Sequence, residues 1–183
     1  MQTEHSDIEI SPLRSEHAEQ LLHLRLTNKE YMHIYDPIRP DRYWTLDTQR
    51  ALLEQGEQNF QAGTGYVFGM FKTDTGQLIG RIELSGVARG PFQNASVGYF
   101  VDQQHHGHGY ATFALRQVTA FAFQEAGLHR IQAGVMPWNQ PSQRVLEKAR
   151  FRKEGLAERY LCINGKWEDH FLYAITAEEW EQA

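Results

Sequence analysis

The stretch from Gln104 to Ala111 holds the residues best suited to bind a charged ligand, because Gly107 and Gly109 lie just before a long helical pattern. An apolar run, Ser96 to Val101, precedes the stretch and reads as a strand. Glycine lacks a Cβ, so its backbone can approach a phosphate closely and adopt a positive φ. The first turn of a helix adds unpaired N–H groups and the positive end of the helix dipole. This order of elements predicts a site for a phosphate or a pyrophosphate.

A Gly-x-Gly turn before a helix also occurs as a plain strand-to-helix connection. The turn is not the dinucleotide fingerprint, since Thr112 stands where the third glycine would fall, and it is not a P-loop, since no Gly-Lys-Ser/Thr follows. What remains is the pattern Gln-x-x-Gly-x-Gly, and the pattern alone leaves both interpretations open.

Three histidines of this stretch, His105, His106 and His108, raise the question of a metal site. Metal ligands usually come from separated chain segments. We therefore expect exposed loop residues that add donors to phosphate oxygens when protonated, and no metal.

The composition predicts one globular domain spanning residues 1–183, with 41% hydrophobic and 22% charged residues. A net charge of −5 and the lack of a basic stripe argue against direct nucleic-acid binding and suit a basic partner. Apolar runs are too short for a membrane span, and the polar start of the chain predicts no signal peptide. The single cysteine, Cys162, fits a reducing compartment. The cytoplasm is the expected location. The sequence leaves open whether the protein forms a homodimer.

Hydrophobic periodicity and turn residues predict a mixed, largely antiparallel sheet of about seven strands flanked by helices, in the order β-α-α-β-β-β-α-β-α-β-β. This is an α/β (α+β) fold. The expected elements include a helix capped by Ser15 and reaching Asn28, an ordered loop over 31–43, a helix over 45–62, a loop over 86–94, a helix over 109–126 and a final hairpin turning at Asn164-Gly165.

With its glycine turn from Gln104 to Gly109, the chain resembles the GCN5-related N-acetyltransferase (GNAT) superfamily. The pyrophosphate loop for acetyl-CoA in that superfamily has the pattern Gln/Arg-x-x-Gly-x-Gly/Ala. The chain is most similar to the RimJ/RimL branch, which acetylates the N-terminal α-amine of ribosomal proteins, and the RimJ side is closer. The residues that carry this resemblance are Leu78-Ile79-Gly80, Val97-Gly98-Tyr99, His129-Arg130-Ile131, Met136-Pro137-Trp138-Asn139, Ser142, Phe151, Glu154-Gly155, Arg159-Tyr160, Ile163 to Trp167, Asp169, Asp36-Pro37 and Arg39-Pro40.

The resemblance implies a sheet that splays between the strand at 96–101 and the strand at 131–135, with the acetyl-CoA arm in the gap. No metal is implied, because the acyl donor is already an activated thioester. The resemblance implies that backbone groups of Phe100 and Val101 pair with the pantetheine arm and that Asn139 hydrogen-bonds it. The residues implied for the pyrophosphate are His106, Gly107, His108, Gly109, Tyr110 and Ala111.

Acetyl transfer requires that the amine lose a proton and that the leaving thiolate gain one. An α-amine titrates near ~8, so a base that acts through a water suffices. Glu83 is the first candidate, although its alternation with Ile82 and Leu84 also fits a solvent-facing residue. Many members have a glutamate on the next strand, where this chain has Ser96.

For the thiolate, superfamily members often use a tyrosine at the position of Leu146, whereas RimL-type members have a serine at the position of Ser142. Ser142 also fits the first turn of a helix beside Pro141. Tyr160 is a third candidate for protonating the thiolate. The alternative is that Tyr160 is a packing residue of the final hairpin. Arg150 departs from the family pattern as well, since a glycine usually precedes the position of Phe151.

Tyr35, Asp36, Arg39 and Trp44 are candidates for the acceptor pocket, with Asp36 meeting a cationic amine. A proline-ordered surface loop is the alternative. Three functions stay open: acetylation of a protein N-terminus, acetylation of a small amine such as an antibiotic, a polyamine or an amino acid, and acyl-CoA binding without catalysis.

Overall fold

The computed structural model describes residues 6–182, and within them the predicted seven-stranded sheet is present. The strands lie in the order β1-β2-β3-β4-β5-β7-β6, and every neighbouring pair is antiparallel except β4 and β5. The strands are β1 Ile8–Pro12, β2 Tyr66–Lys72, β3 Leu78–Ala88, β4 Asn94–Val101, β5 Arg130–Val135, β6 Arg152–Ile163 and β7 Lys166–Thr176. The helices are α1 Ala18–Thr27, α2 Lys29–Met32, α3 Leu46–Ala62, α4 Tyr110–Gln124, α5 Gln140–Lys148 and α6 Ala177–Glu181.

Several local predictions are confirmed, because short-range chemistry fixes them. Thr45 accepts a hydrogen bond from the N–H of Thr48 and caps α3, which ends at Gly63 with a φ of 70°. The hairpin between β6 and β7 turns at Asn164-Gly165, as the sequence predicts. None of the helices among residues 6–182 is long and apolar enough to cross a bilayer.

Three boundaries differ from the prediction. Ser15 does not cap a helix with its side chain, because it begins a 3₁₀ turn over Ser15–His17 and α1 starts at Ala18. The segment 31–43 is not all loop, since α2 runs into it and a 3₁₀ turn closes it at Asp41–Trp44. The loop after β3 is shorter than expected, because β3 reaches Ala88, which pairs with Asn94.

The parallel pair β4 and β5 separates after three residue pairs, and this opening shapes the site. Asn94, Ala95 and Ser96 pair with Arg130, Ile131 and Gln132, and the pairing stops there. The rest of β4, from Val97 to Val101, has its backbone paired only on the β3 side. A gap lined by strand backbone therefore opens at the carboxyl ends of both strands.

The start of α4 is tied to the sheet by a polar cluster at the edge of β1. The Tyr110 hydroxyl donates to the Asp7 carboxylate, and Lys72 Nζ lies 3.0 Å from the same carboxylate oxygen. These hydrogen bonds lower the pKa of Asp7 from its ordinary value of 3.8 to about 2, with Tyr110 the largest contributor and Lys72 next. Four buried residues of α4, Ala114, Leu115, Val118 and Ala122, pack the rest of the helix onto the sheet.

The end of α5 forces Arg150 into a left-handed conformation. The N–H of Phe151 donates to the Leu146 carbonyl and the N–H of Arg150 to the Glu147 carbonyl, both at 2.9 Å, which is a Schellman end. Arg150 takes the left-handed position with a φ of 69°. Leu146 and Phe151 are both buried in the core, so the helix end cannot relax away from this geometry.

Replacing Arg150 with glycine should therefore stabilise the protein. The change removes the Cβ clash of the left-handed region, so we expect the free energy of unfolding to rise by about 1 kcal/mol. For a chain of this size the melting temperature should rise by about 2 to 4 °C, measured by thermal unfolding. Arg150→Ala keeps the strain and is the control. An equal rise in the free energy of unfolding in both variants would show that the arginine side chain, and not the left-handed backbone, destabilises the protein.

Replacing Asp7 with asparagine should destabilise the protein in a pH-dependent way. Since the folded pKa of Asp7 lies below its ordinary value, its contribution is present above about pH 4 and is lost as the pH falls through about 2. Urea unfolding of Asp7→Asn should show a lower free energy of unfolding at neutral pH and a vanishing difference at the acidic end. Asp74→Asn, which removes the same charge from an exposed turn, should show no such trend. A constant difference at every pH would argue against the ionic contribution.

Candidate active site

A groove of about 400 Å³ runs from the glycine turn into the gap between β4 and α5. Of the nine residues that the sequence assigns to the cofactor, eight line it: Phe100, Val101, His106, Gly107, Gly109, Tyr110, Ala111 and Asn139. His108 does not. Its ring stacks on Tyr110, and its Nδ1 lies 2.9 Å from the His106 carbonyl. The groove therefore joins the predicted anion site to the open edge of β4.

The glycine turn has the geometry that an anion site needs. Gly107 and Gly109 both have a φ of 81°, in the left-handed region that favours glycine. Gly109 is the N-cap of α4, so the unpaired N–H groups of the first turn begin at the groove wall. These features fit a pyrophosphate.

The residues just before the glycine turn are held by two buried side chains. Asn28 ends α1, and its Oδ1 accepts a hydrogen bond from the N–H of Gln103 at 2.9 Å. Its Nδ2 donates to Asp102 at 3.2 Å, and the same Asp102 oxygen accepts from the N–H of Gln104. Asn28 and Asp102 are both buried. This clamp fixes the start of the turn and links it to the helices on the other side of the site.

His106 bends back over the end of β4. Its Nε2 lies 2.9 Å from the Val101 carbonyl oxygen, and its ring meets Tyr31 edge-on at 5.2 Å. A carbonyl oxygen has two lone pairs, so one of them stays open to a ligand amide. No group of three or more His, Cys, Asp or Glu in the described residues is placed to hold a metal ion.

A second cavity, of about 270 Å³, lies beside the first and is lined by the segment that follows α2 and by residues of β3, β4, β5 and β7. The proposed base and all four proposed acceptor residues line it: Glu83, Tyr35, Asp36, Arg39 and Trp44. Glu83 thus faces a pocket rather than open solvent. Glu83 lies on β3, Trp44 ends the 3₁₀ turn at Asp41–Trp44, and the other three residues come from the segment between α2 and that turn.

Three arginines and two carboxylates share this acceptor pocket. Arg81 forms an ion pair with Glu83. Burial raises the pKa of Asp36, and Arg39, Arg25 and Arg81 oppose the rise. Burial also lowers the pKa of Arg25 to about 9, with Arg81 adding to the effect. Arg25 and Arg39 both lie over the ring of Tyr43, at 4.7 and 4.8 Å from its centroid.

The two cavities meet at a small set of side chains. Met32, Tyr35, Tyr99, Phe100, Asn139 and Ser142 line both. Ser142 Oγ lies 3.0 Å from the Tyr99 hydroxyl, and burial raises the pKa of Tyr99, which keeps that hydroxyl protonated. Asn139 uses its Oδ1 to cap α5 through the N–H of Ser142, which leaves its Nδ2 to donate elsewhere. Two ligands in neighbouring cavities would therefore meet beside Ser142.

Sequence reasoning did not assign Met32, Arg25, Arg81, Tyr99 or His170, which the structure brings into the site. Tyr99 had a local signal, because it lies on the strand that precedes the glycine turn. The others come from α1, α2, β3 and β7, and only the tertiary fold brings them together. Tyr160 meets the His170 ring at 5.6 Å and does not line either cavity.

The comparisons with known proteins agree with this geometry. Residues 7–152 match the family described as "Acetyltransferase (GNAT) domain". The chain is 42% identical over 175 residues to a Bacillus subtilis (strain 168) protein named "Probable N-acetyltransferase YjcK", an alignment that covers 96% of this chain and 97% of that one. It is 32% identical to the Escherichia coli (strain K12) "[Ribosomal protein uS5]-alanine N-acetyltransferase", over 84% of this chain and 79% of that one.

A solved structure, that of Mycobacterium smegmatis RimJ in complex with CoA-disulfide, superposes with a TM-score of 0.87 at 31% identity. The match covers 94% of this chain and 83% of that one. The predicted fold and the predicted resemblance are both confirmed. The chain belongs to the GNAT family and is an N-acetyltransferase.

Proposed function

We propose that the protein transfers the acetyl group of acetyl-CoA to the N-terminal α-amine of a protein, with a ribosomal protein as the model acceptor. The observation that carries this proposal is the meeting of two cavities at Ser142, which suits direct attack in a ternary complex. The acceptor class follows the Escherichia coli relative, whose name specifies an alanine of ribosomal protein uS5.

Acetyl-CoA fits the groove on three features of this chain. The edge of β4 from Val97 to Val101 is unpaired on the β5 side and can pair with the amides of a pantetheine arm. Gly107 and Gly109 line the groove with backbone N–H groups that can meet a pyrophosphate, and Asn139, which also lines it, has its Nδ2 free of the cap of α5 to donate to the arm. When bound, acetyl-CoA supplies the activated acyl group.

The charges of the acceptor pocket favour a peptide α-amine over a polyamine. Three arginines outnumber Asp36 and Glu83, so a second or third ammonium group would meet net positive charge. A peptide brings one ammonium group together with backbone carbonyls, to which guanidinium groups donate. The net charge of −5 on the whole chain still attracts a basic protein at longer range.

Different residues near the meeting point of the two cavities serve the two proton transfers, one at the amine and one at the thiol. Glu83 faces the acceptor pocket, and we propose that it receives the amine and directs a proton away through a water. On the thiol side, we propose that Ser142 Oγ donates toward the sulfur. The Tyr99 hydroxyl, which lies 3.0 Å from Ser142 Oγ and 3.3 Å from the Ser142 carbonyl oxygen, then donates to Ser142 Oγ. Because the pKa of Tyr99 is raised, the pair stays protonated until the thiolate forms.

The acceptor class can be tested by thiol release from acetyl-CoA with a panel of acceptors. We expect alanine- and serine-starting peptides to exceed spermidine by about tenfold or more in kcat/KM, because the pocket is cationic. The same peptides with a blocked N-terminus are the control and should be inert, and mass spectrometry should place the acetyl group on the α-amine. Preference for spermidine or for another small amine would overturn the acceptor assignment and leave the acetyltransferase assignment intact.

The thiol side can be tested with Ser142→Ala. We expect kcat to fall about 10- to 100-fold with the affinity for CoA unchanged, since the variant loses a proton donor and keeps the glycine turn and the open edge of β4. Tyr99→Phe should show a similar loss, and the double variant little more, because the two hydroxyls act as one unit. Ser96→Ala makes the same chemical change on β4 outside both cavities and should keep full activity. Unchanged turnover in Ser142→Ala would exclude Ser142 from the proton transfer.

A further inference from the structure

One histidine of the acceptor pocket has no role in the mechanism above. His170 lies on β7, is 3% exposed, and lines the acceptor pocket. A buried histidine is often only a packed core residue, and its hydrogen bonds decide whether it can accept a proton.

The backbone fixes the tautomer of His170. Its Nδ1 lies 3.0 Å from the carbonyl oxygen of Glu168. A carbonyl oxygen can only accept, so Nδ1 carries the hydrogen in the neutral ring and Nε2 holds the lone pair. Within residues 6–182, Nε2 has no hydrogen-bond partner. The ring is therefore held by one nitrogen and is open to a proton at the other.

The ring is turned toward the gap in the sheet. A Cβ built on Gly134 of β5 would lie 3.5 Å from His170 Cδ2, the ring atom bonded to Nε2. Gly134 has no side chain to cover this edge of the ring, and the Tyr160 ring reaches the same spot, with its Cε1 3.3 Å from the built Cβ. Tyr160 supports the ring at 5.6 Å, from a bulge of β6 where Asp169 accepts a hydrogen bond from the N–H of Arg159.

Strand register places His170 on the face of the sheet that carries Glu83. Glu83 pairs with Gly98, Ser96 pairs with Gln132, and Gly134 pairs with Leu172. Since alternate residues of a strand share a face, Glu83, Gly98, Gly134, Leu172 and His170 all point to the acceptor side. The charged and titratable groups that line this pocket with His170 are Arg25, Asp36, Arg39, Arg81, Glu83, Tyr35, Tyr43 and Tyr99.

We propose that His170 Nε2 is the group that takes the proton from the acceptor ammonium, directly or through the water that Glu83 orients. The inference rests on the proposed acetyl transfer to an α-amine. Glu83 is already engaged, because its carboxylate forms an ion pair with Arg81. His170, by contrast, holds a lone pair at Nε2 that no neighbouring donor occupies among the described residues.

The proton balance is complete with these groups. The ammonium gives one proton to His170 Nε2 and becomes a free amine. The amine nitrogen then forms a bond to the acetyl carbon as the carbon–sulfur bond breaks. Ser142, backed by Tyr99, protonates the departing sulfur, and the second proton of the attacking nitrogen restores that hydroxyl pair through solvent. His170 finally releases its proton to solvent.

His170→Asn is the direct test, because the asparagine amide can still donate to the Glu168 carbonyl while nothing remains to accept a proton at the Nε2 position. We expect kcat for an alanine-starting peptide to fall about 10²- to 10⁴-fold near neutral pH. The deficit should narrow above about pH 8, where the acceptor amine is already free in solution. A purely structural role for His170 would not produce this pH dependence.

Three controls keep the result interpretable. His23→Asn makes the same change at an exposed position outside both cavities and should leave kcat unchanged. Glu83→Gln should raise the KM for peptide more than it lowers kcat. The affinity for CoA and the melting temperature should match the wild type in each variant, and His170→Gln replaces His170→Asn if the latter unfolds. A deficit equal at every pH, or a kcat within about twofold of the wild type, would overturn the role of His170. A wild-type protein that binds CoA but acetylates no peptide would instead overturn the proposed function, and this inference with it.

Discussion

The separation of β4 from β5 is the constraint on which the rest of the structure depends. Two parallel strands that part after three residue pairs leave backbone N–H and C=O groups unpaired at the centre of a sheet. Such groups cost free energy when they are buried without partners, so the gap has to admit water or a ligand with amides of its own. The glycine turn follows β4 in the chain, and α5 follows β5. Each wall of the groove is therefore formed by the segment that comes after one of the two separating strands.

The acceptor side is built onto this gap from distant parts of the chain. Asn28, at the end of α1, holds the loop before the glycine turn through Asp102 and the N–H of Gln103. The same segment continues into α2 and supplies Met32 and Tyr35, which line both cavities. A shift of the glycine turn on ligand binding would therefore also move residues that line the acceptor pocket. The clamp is a physical link between the two halves of the site.

Local signals explain what the sequence could predict. The glycine turn, the helix predicted over 45–62 and the hairpin at Asn164-Gly165 depend on residues a few positions apart, and the structure contains all three. The pairing of Arg81 with Glu83 and the contact of Tyr99 with Ser142 depend on which face of a strand each side chain takes and on how the helices pack. His170 gave no local signal, since its role depends on the Glu168 carbonyl and on a glycine 36 positions earlier in the chain. At Arg150 the residue type itself points away from the observed structure, because the helix end imposes a left-handed conformation that arginine disfavours.

The alternation of side chains along β4 separates the two proton transfers. Gly98 faces the acceptor side with Glu83, whereas Tyr99 faces the other side and reaches Ser142 on α5. Because neighbouring residues of a strand point to opposite faces, Glu83, which pairs with Gly98, and Tyr99 reach the site from opposite faces of the sheet and do not compete for the same space. A slip of one residue in the pairing of β3 with β4 would exchange Gly98 and Tyr99, fill the acceptor side with an aromatic ring and remove the partner of Ser142. The buried apolar residues that fix this register, Val97 and Ile82 among them, therefore hold the chemistry in place as well as the fold.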